Sequence, residues 1–116
     1  MSKLFKRHIG DVPLTDSHGG VGKRRLLLSN TDAISDKIGG MTKVYLSAGA
    51  AFDWHKHDGL DEFFIVLSGS GVIRFENGTN MNYQEDDLIY IPSGMSHRIE
   101  AGSGEESVFY FIRVKN

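Results

Sequence analysis

The chain has 116 residues and a formal net charge of −2, with 13 Lys and Arg against 15 Asp and Glu. At this length we expect one hydrophobic core and no second domain, and the nearly balanced charge gives no general reason to expect a nucleic acid or a membrane as partner. Cysteine is absent, which excludes disulfides, a thiol nucleophile and thiolate metal ligands.

The N-terminal segment, residues 1–20, shows little hydrophobic periodicity. We expect it to be a loop or an arm that crosses to a partner subunit, and we expect residues 21–116 to form the folded domain. Basic residues are concentrated in 1–25, but aromatic residues do not alternate with them as base stacking would require, so a solvated segment or an anion-facing strand is favoured. The start of the chain lacks the apolar stretch of a secretion signal, and cytoplasmic residence is the expectation.

Seven segments rich in β-branched and aromatic residues are predicted to be strands: Arg25–Ser29, Thr42–Ser47, Glu62–Leu67, Gly71–Glu76, Leu88–Ile91, His97–Glu100 and Ser107–Val114. Glycine-rich turns separate them, and Asn77-Gly78 is a strong signal for a tight hairpin. Many short strands with regular turns predict an all-β sandwich or barrel. The segment Asp32–Ile38 is compatible with a short helix or with a loop over the barrel mouth.

Four residues at informative spacings could bind one divalent metal ion: His55, His57, Glu62 and His97. His55 and His57 are two apart, so their imidazoles leave the same face of a strand. Glu62 opens the next apolar strand after the turn Asp58-Gly59, which can fold it back beside the two histidines. Imidazole nitrogen and carboxylate oxygen are donors that Mn, Fe, Co, Ni and Zn accept.

The arrangement resembles the two motifs of the cupin superfamily, in the form of a small single-domain (monocupin) metal-binding member. The first motif is Gly, five residues, His-x-His, three or four residues, Glu, six residues, Gly, and residues 49–69 match it without a gap. Pro92–His97 matches the middle of the second motif, but Asp86 replaces its first Gly and Ala101 its last Asn. Because Asp tolerates left-handed backbone geometry better than most residues, we expect the turn at Asp86 to persist.

The resemblance implies a jelly-roll β-barrel with the four ligands inside it. Three imidazoles and one carboxylate leave a divalent ion with net positive charge and, in octahedral coordination, two open positions. Such an ion can polarise a carbonyl, lower the pKa of a bound water or bring two reactants together. The ligand set does not choose among Fe, Mn, Ni, Co and Zn. Strand alternation predicts Phe64, Val66 and Ile99 on the inner face, where they would pack the core.

Six polar side chains are candidates for contact with a substrate: Tyr45, Tyr90, Tyr110, Arg74, Arg98 and Arg113. Tyr90 and Arg113 are preferred because each is a polar group on a strongly apolar strand. His8 and His18 are expected to be surface or packed core residues. No other catalytic residue follows from the sequence.

Two classes of function stay open, both with a small molecule as the partner. The first is a metal-dependent enzyme that acts on a small oxygenated or acidic metabolite, with dioxygenase-type chemistry preferred over isomerase, decarboxylase or lyase chemistry. The second is a non-catalytic cupin in which the metal anchors a sugar or carboxylate ligand. The enzyme is favoured because open coordination positions are typical of catalytic metal sites.

A homodimer is predicted from two strands that are apolar on both faces, Glu62–Leu67 and Val108–Ile112. A strand with one solvated face normally alternates apolar and polar residues. A second subunit would cover the extra face, with Phe63, Phe109 and Phe111 as aromatic anchors of the interface. The competing expectation is that residues 21–29 form a strand that hides these faces within the chain.

Overall fold

The structure is a computed structural model that describes residues 2–116; Met1, the first residue of the expected arm, lies outside them. Within the described residues the chain forms nine strands: β1 (Leu14–Ser17), β2 (Gly22–Leu28), β3 (Ile38–Leu46), β4 (Leu60–Ser68), β5 (Gly71–Phe75), β6 (Asn80–Tyr83), β7 (Leu88–Ile91), β8 (His97–Ala101) and β9 (Ser107–Lys115). Two short 3₁₀ helices occur at Ile9–Asp11 and His18–Gly20.

The strands form two antiparallel sheets, one with the order β1-β2-β3-β9-β4-β7 and the other with the order β6-β5-β8. Buried side chains such as Phe64 and Phe109 from the first sheet pack with Ile73 and Ile99 from the second. This single core lies between the sheets, as in other two-sheet β folds. The all-β jelly-roll barrel expected from the sequence is confirmed.

The predicted strands all occur, and two further strands do not follow from the sequence pattern. These are β1 and β6, in each of which three of four residues are exposed. Both are short edge strands, and their polar side chains give no alternating pattern.

The Asn77-Gly78 turn joins β5 to β6, with Gly78 at a φ of 88°. Residues 30–37 form turns and bends before β3 begins, so the segment is a loop and not a helix.

The segment expected to be a loop or an arm contains a strand, because β1 pairs in register with β2 from Leu14 opposite Arg25 to Ser17 opposite Gly22. Before β1, Arg7 pairs with Asp32 and Arg25 donates to the carbonyl of Val12, which holds residues 7–12 against the β2 side of the barrel. The division into an arm at residues 1–20 and a domain at 21–116 stays a prediction.

The two faces of the large sheet differ as strand alternation requires. Glu62, Phe64 and Val66 are buried, whereas the intervening Phe63 and Ile65 are half-buried on the outer face. In β9, Phe109 and Phe111 lie opposite Val66 and Phe64 and therefore belong to the core. The expectation that Phe109 and Phe111 anchor an interface is wrong, because their parity turns them inwards.

The outer face of the large sheet is mostly apolar across four strands. The apolar and aromatic side chains on it include Met41, Phe63, Ile65, Leu88, Tyr90, Val108, Tyr110 and Ile112, and the charged side chain of Lys43, opposite Tyr110, shares this face. Strand β2 pairs with β3 in the plane of the sheet, so it adds a strand to the width of the sheet and does not cover this face. The expectation that residues 21–29 hide it is therefore wrong.

Among residues 2–116, no helix has both the length and the apolar character needed to cross a membrane.

Candidate metal centre

The two histidines from different motifs meet through their backbones. The His55 N–H donates to the His97 carbonyl at 3.0 Å, and the His97 N–H donates to the His55 carbonyl at 2.9 Å. The segment before His55 is fixed by Arg98, whose Nε donates to the Phe52 carbonyl at 3.1 Å. As a result, the rings of His55 and His97 lie side by side with centroids 4.3 Å apart.

The third histidine, His57, is held by the turn of the second motif. The Gly94 N–H donates to the His57 carbonyl at 3.0 Å, and Ser93 accepts the Gly59 N–H on its hydroxyl at 2.8 Å. Asp61 completes the contact by accepting the Ser93 N–H at 2.9 Å. The Pro92–Gly94 turn therefore ties the loop that carries His57 to the start of β4.

Glu62 lies between two of these histidines, His57 and His97, and the guanidinium group of Arg113. Its side chain is 2% exposed, and its Oε1 lies 3.6 Å from His57 Nε2 and 3.7 Å from His97 Nε2. The Nε of Arg113, which lies opposite Glu62 on β9, donates to Oε2 at 3.1 Å. A buried carboxylate is costly unless it is paired and hydrogen-bonded, and Arg113 supplies both.

Burial favours the neutral form of two of the histidines. It is the largest cause that lowers the pKa of His57 and of His97 from the ordinary value for histidine, and it outweighs the Glu62 carboxylate, which raises both. The His97 Nδ1 lies 3.0 Å from the Met95 carbonyl, a contact that places the proton on Nδ1. The lone pair of the neutral ring is then on Nε2, on the side of Glu62. Metal-ligating histidines commonly have this arrangement, with the other ring N–H donated to a backbone carbonyl.

One observation indicates that these residues are suited to a divalent metal. His57 Nε2 and His97 Nε2 are buried without a hydrogen-bond partner. Ligands on one ion at about 2.0–2.3 Å have donor atoms roughly 3 Å apart or slightly more, a little closer than the two distances to Glu62 Oε1. Among residues 2–116, no group of three or more His, Cys, Asp or Glu converges as a formed metal cluster. The fit therefore rests on the two orphaned nitrogens and the carboxylate between them.

The two preferred polar candidates have different positions. Arg113 is brought into the site by its contact with Glu62. Tyr90 is not, because it lies on the outer face of β7, 51% exposed, with its ring 5.4 Å from that of Phe63. A hydrogen bond with Asp61 is the largest cause that raises the pKa of Tyr90.

His18 is the residue near the site that sequence reasoning missed. Its ring is stacked on Phe52 at 4.2 Å, and its centroid is 5.0 Å from that of His55. Partial burial of the ring is the largest cause that lowers the pKa of His18, although the residue as a whole is exposed. A single histidine in a turn has no ligand spacing that could reveal it, and the only signal is the sequence His-Gly-Gly, which permits an unusual backbone.

The departures from the second motif leave the site intact. Asp86 adopts the left-handed conformation with a φ of 73°, so the expected persistence of this turn is confirmed. Its N–H donates to the Val66 carbonyl at 3.0 Å, and the Ala101 N–H donates to the Ala50 carbonyl at 2.9 Å.

Comparison with known proteins gives one family. The model of the cupin domain matches residues 42–113. The oxalate-binding protein of Thermotoga maritima is 30% identical over 88 residues, which are 75% of this chain and 72% of that protein. The tetracenomycin polyketide synthase protein TcmJ of Streptomyces glaucescens is 29% identical over 84 residues, 72% of this chain and 55% of that protein.

Solved structures agree on the fold. A protein from Thermotoga maritima described as a predicted oxalate decarboxylase has a TM-score of 0.81 at 24% identity, covering 97% of this chain and 100% of that one. The polyketide cyclase RemF from Streptomyces resistomycificus has a TM-score of 0.79 at 21% identity, covering 97% of this chain and 80% of that one. With the two motifs, the jelly roll and the matched domain in agreement, this chain belongs to the cupin family.

Proposed function

We propose that the chain is a metal-dependent cupin whose barrel site binds a small carboxylate, with oxalate as the first ligand to test. The observation that supports this most directly is the environment of Glu62. Its one buried carboxylate lies between two orphaned imidazole nitrogens on one side and the Arg113 guanidinium on the other.

In this proposal four residues bind one divalent transition metal, Fe, Mn, Ni, Co or Zn: His55, His57, Glu62 and His97. The lowered pKa values of His57 and His97 support it, because a metal requires neutral imidazole. When bound, the ion supplies Lewis acidity, which polarises a ligand oxygen. Arg113 orients the Glu62 carboxylate through its hydrogen bond to Oε2, which leaves Oε1 for the metal.

The charge balance favours an anionic ligand. The Arg113 charge already offsets that of Glu62, and neutral histidines add no charge. A divalent ion would therefore leave the site with about two positive charges in a partly buried environment, where charge is costly unless it is compensated. A dicarboxylate such as oxalate provides the compensation, and an oxalate-binding protein is among the relatives of the chain.

Dioxygenase-type chemistry is the second candidate, and it uses the same centre. The rings of His55 and His57 are only partly buried, so the proposed coordination positions face an accessible side of the barrel. Two ligands could bind there together, one of them an oxidisable acid. Isomerase, decarboxylase and lyase chemistry remain alternatives at the same positions.

The test is calorimetric titration of oxalate into metal-free and Mn-loaded protein, with elemental analysis of the protein as isolated. We expect binding only after metal loading, and we expect His57→Ala to abolish it. His8→Ala is the matched control, because His8 lies outside the site. Equal oxalate affinity with and without metal would contradict the proposal, and oxygen uptake on addition of an acid would favour the second candidate.

We also propose that the chain forms a homodimer through the outer face of the large sheet. Leu88 and Tyr90 are 61% and 51% exposed on this face, beside half-buried Phe63. An exposed apolar patch of this kind marks an interaction surface. Cytoplasmic residence stays a prediction.

A further inference from the structure

His18 enters the neighbourhood of the metal centre from a different part of the chain than the motif histidines. It begins the turn between β1 and β2, at the edge of the large sheet. This turn reaches the segment that runs beside β8, because the His18 ring stacks on Phe52 at 4.2 Å. His18 is exposed at the rim, while the ring of His55, 5.0 Å away, is half-buried.

The backbone at this turn is specialised. His18 has a φ of 50° and is followed by Gly19 and Gly20 at 70° and 94°. Asp86 is the only other non-glycine residue with positive φ among residues 2–116. Left-handed geometry costs free energy for a residue with a Cβ, and where such residues persist they are frequently functional. A glycine would fit here without strain, so the imidazole itself needs an explanation.

Stacking fixes the ring without using its polar edge. The contact with Phe52 is face to face, with an interplanar angle of 30°. His55 and His97, in contrast, each place Nδ1 within 3.2 Å of a backbone carbonyl. A neutral imidazole always carries one N–H donor. In His18 the edge of the ring that carries this N–H is oriented by the stacking on Phe52 alone.

The charges around His18 favour a negatively charged group at this place. Arg24 lies opposite Val44, which is buried in the barrel, so its side chain is on the inner side of the sheet. Arg24 takes part in no ion pair among residues 2–116. Arg24 also acts electrostatically on His18, so it adds a positive charge to the rim beside His55, whereas the charge of Arg113 is offset by Glu62.

We propose that His18 is a ligand-positioning residue, whose imidazole N–H donates a hydrogen bond to the carboxylate bound at the metal centre. This inference rests on the proposed function. It assigns the turn between β1 and β2 a role in ligand recognition, with Phe52 as the surface that orients the ring. His18 itself does not coordinate the metal.

The experiment measures Mn and oxalate affinity separately, by calorimetry, in the wild type, His18→Gly and His18→Asn. Gly removes the imidazole and relaxes the backbone; Asn keeps an N–H donor and tolerates positive φ. We expect His18→Gly to weaken oxalate binding about tenfold or more, the effect of losing one hydrogen bond to a charged group, with Mn affinity changed less than about twofold. His18→Asn should lie between the two, and His8→Asn is the control.

Each other outcome overturns a distinct statement. Wild-type oxalate affinity in Mn-loaded His18→Gly, with or without a lower melting temperature, would show that His18 only packs and would overturn this inference alone. Parallel loss of Mn and oxalate affinity would make His18 a metal ligand. An oxalate affinity of His18→Asn as low as that of His18→Gly would contradict the proposed hydrogen bond. Absence of oxalate binding by the Mn-loaded wild type would overturn the proposed function and this inference with it.

Discussion

His55 and His97 exchange two backbone hydrogen bonds, at 3.0 and 2.9 Å, and their ring centroids are 4.3 Å apart. Each residue belongs to a different sequence motif, and β4 to β7 lie between them along the chain. Their relative position is thus set by main-chain pairing. Under the proposed function this pairing would place two ligands before any metal is bound, which lowers the cost of ordering them.

His97→Ala should reduce the bound metal to below about a tenth of the wild-type value after dialysis. The substitution removes the most buried of the proposed nitrogen ligands, 0% exposed, and the loss of a ligand should exceed the 10- to 100-fold effect of losing a residue that supports one. Elemental analysis gives the occupancy. His8→Ala should retain the metal, and full occupancy in His97→Ala would remove His97 from the ligand set.

Arg113→Met should weaken metal binding by about 10- to 100-fold, because Glu62 loses the donor that orients its Oε2. Arg74→Met is the matched control. Arg74 forms an ion pair with Glu100, with Nε 3.1 Å from Oε1, and this pair lies away from the candidate centre. Competition with a metal-sensitive dye measures both. Equal affinities in the two variants would show that the contact with Arg113 does not support metal binding.

The free energy of unfolding of the metal-free protein should rise as the pH increases towards neutrality. Burial lowers the pKa of His97 below its ordinary value of 6.5. Between the lowered pKa and 6.5 the unfolded chain binds more protons than the folded protein, so stability increases with pH in this interval. The contribution is fully present above 6.5 and is lost as the pH falls towards the lowered pKa.

Urea unfolding at several pH values between about 5 and 7.5, the range in which histidine titrates, tests this dependence. His97→Gln removes the titrating group and should show a smaller slope than the wild type. An unchanged slope in the variant would assign the pH dependence to other groups.

Removal of the metal with a chelator should leave the fold largely unchanged while oxalate binding is lost. The core that supplies most of the folding free energy includes Phe64, Ile73 and Phe109, each 0% exposed, and burial of apolar surface does not require the ion. Circular dichroism before and after chelation is the measurement. Complete unfolding of the apo-protein would instead identify the metal as structural.

Leu88→Lys should convert the proposed homodimer into a monomer at micromolar concentration. Leu88 is 61% exposed, so a charge there does not disturb the core of one subunit but does disfavour an apolar interface. Light scattering coupled to gel filtration gives the mass. Leu14→Lys, at a residue 50% exposed on the far edge strand β1, should remain dimeric, and a monomeric wild type would contradict the interface.

The sequence by itself determined the all-β fold and the face of β4 on which Glu62 lies, because both depend on short-range spacing. Alternation along a strand places Glu62 on one face with Phe64 and Val66, and it does so whatever the partner strands are. The same regularity placed His97 and Ile99 together, and the left-handed turn at Asp86 followed from local backbone preference. Two short edge strands, β1 and β6, could not be predicted. Most of their residues are exposed, so no apolar residue recurs at every second position to indicate a strand.

Only the tertiary structure decided which residues from distant segments surround the centre. The contact of Arg113 with Glu62 depends on the register of β9 against β4, and the apolar composition of both strands left that register undetermined. Tyr90 and Arg113 are similar polar residues on apolar strands, yet the pairing directs one outwards and the other to the carboxylate. His18 reaches Phe52 and His55 because the hairpin of β1 and β2 folds against the segment beside β8. Such a contact arises from sheet closure and is not encoded in any local pattern.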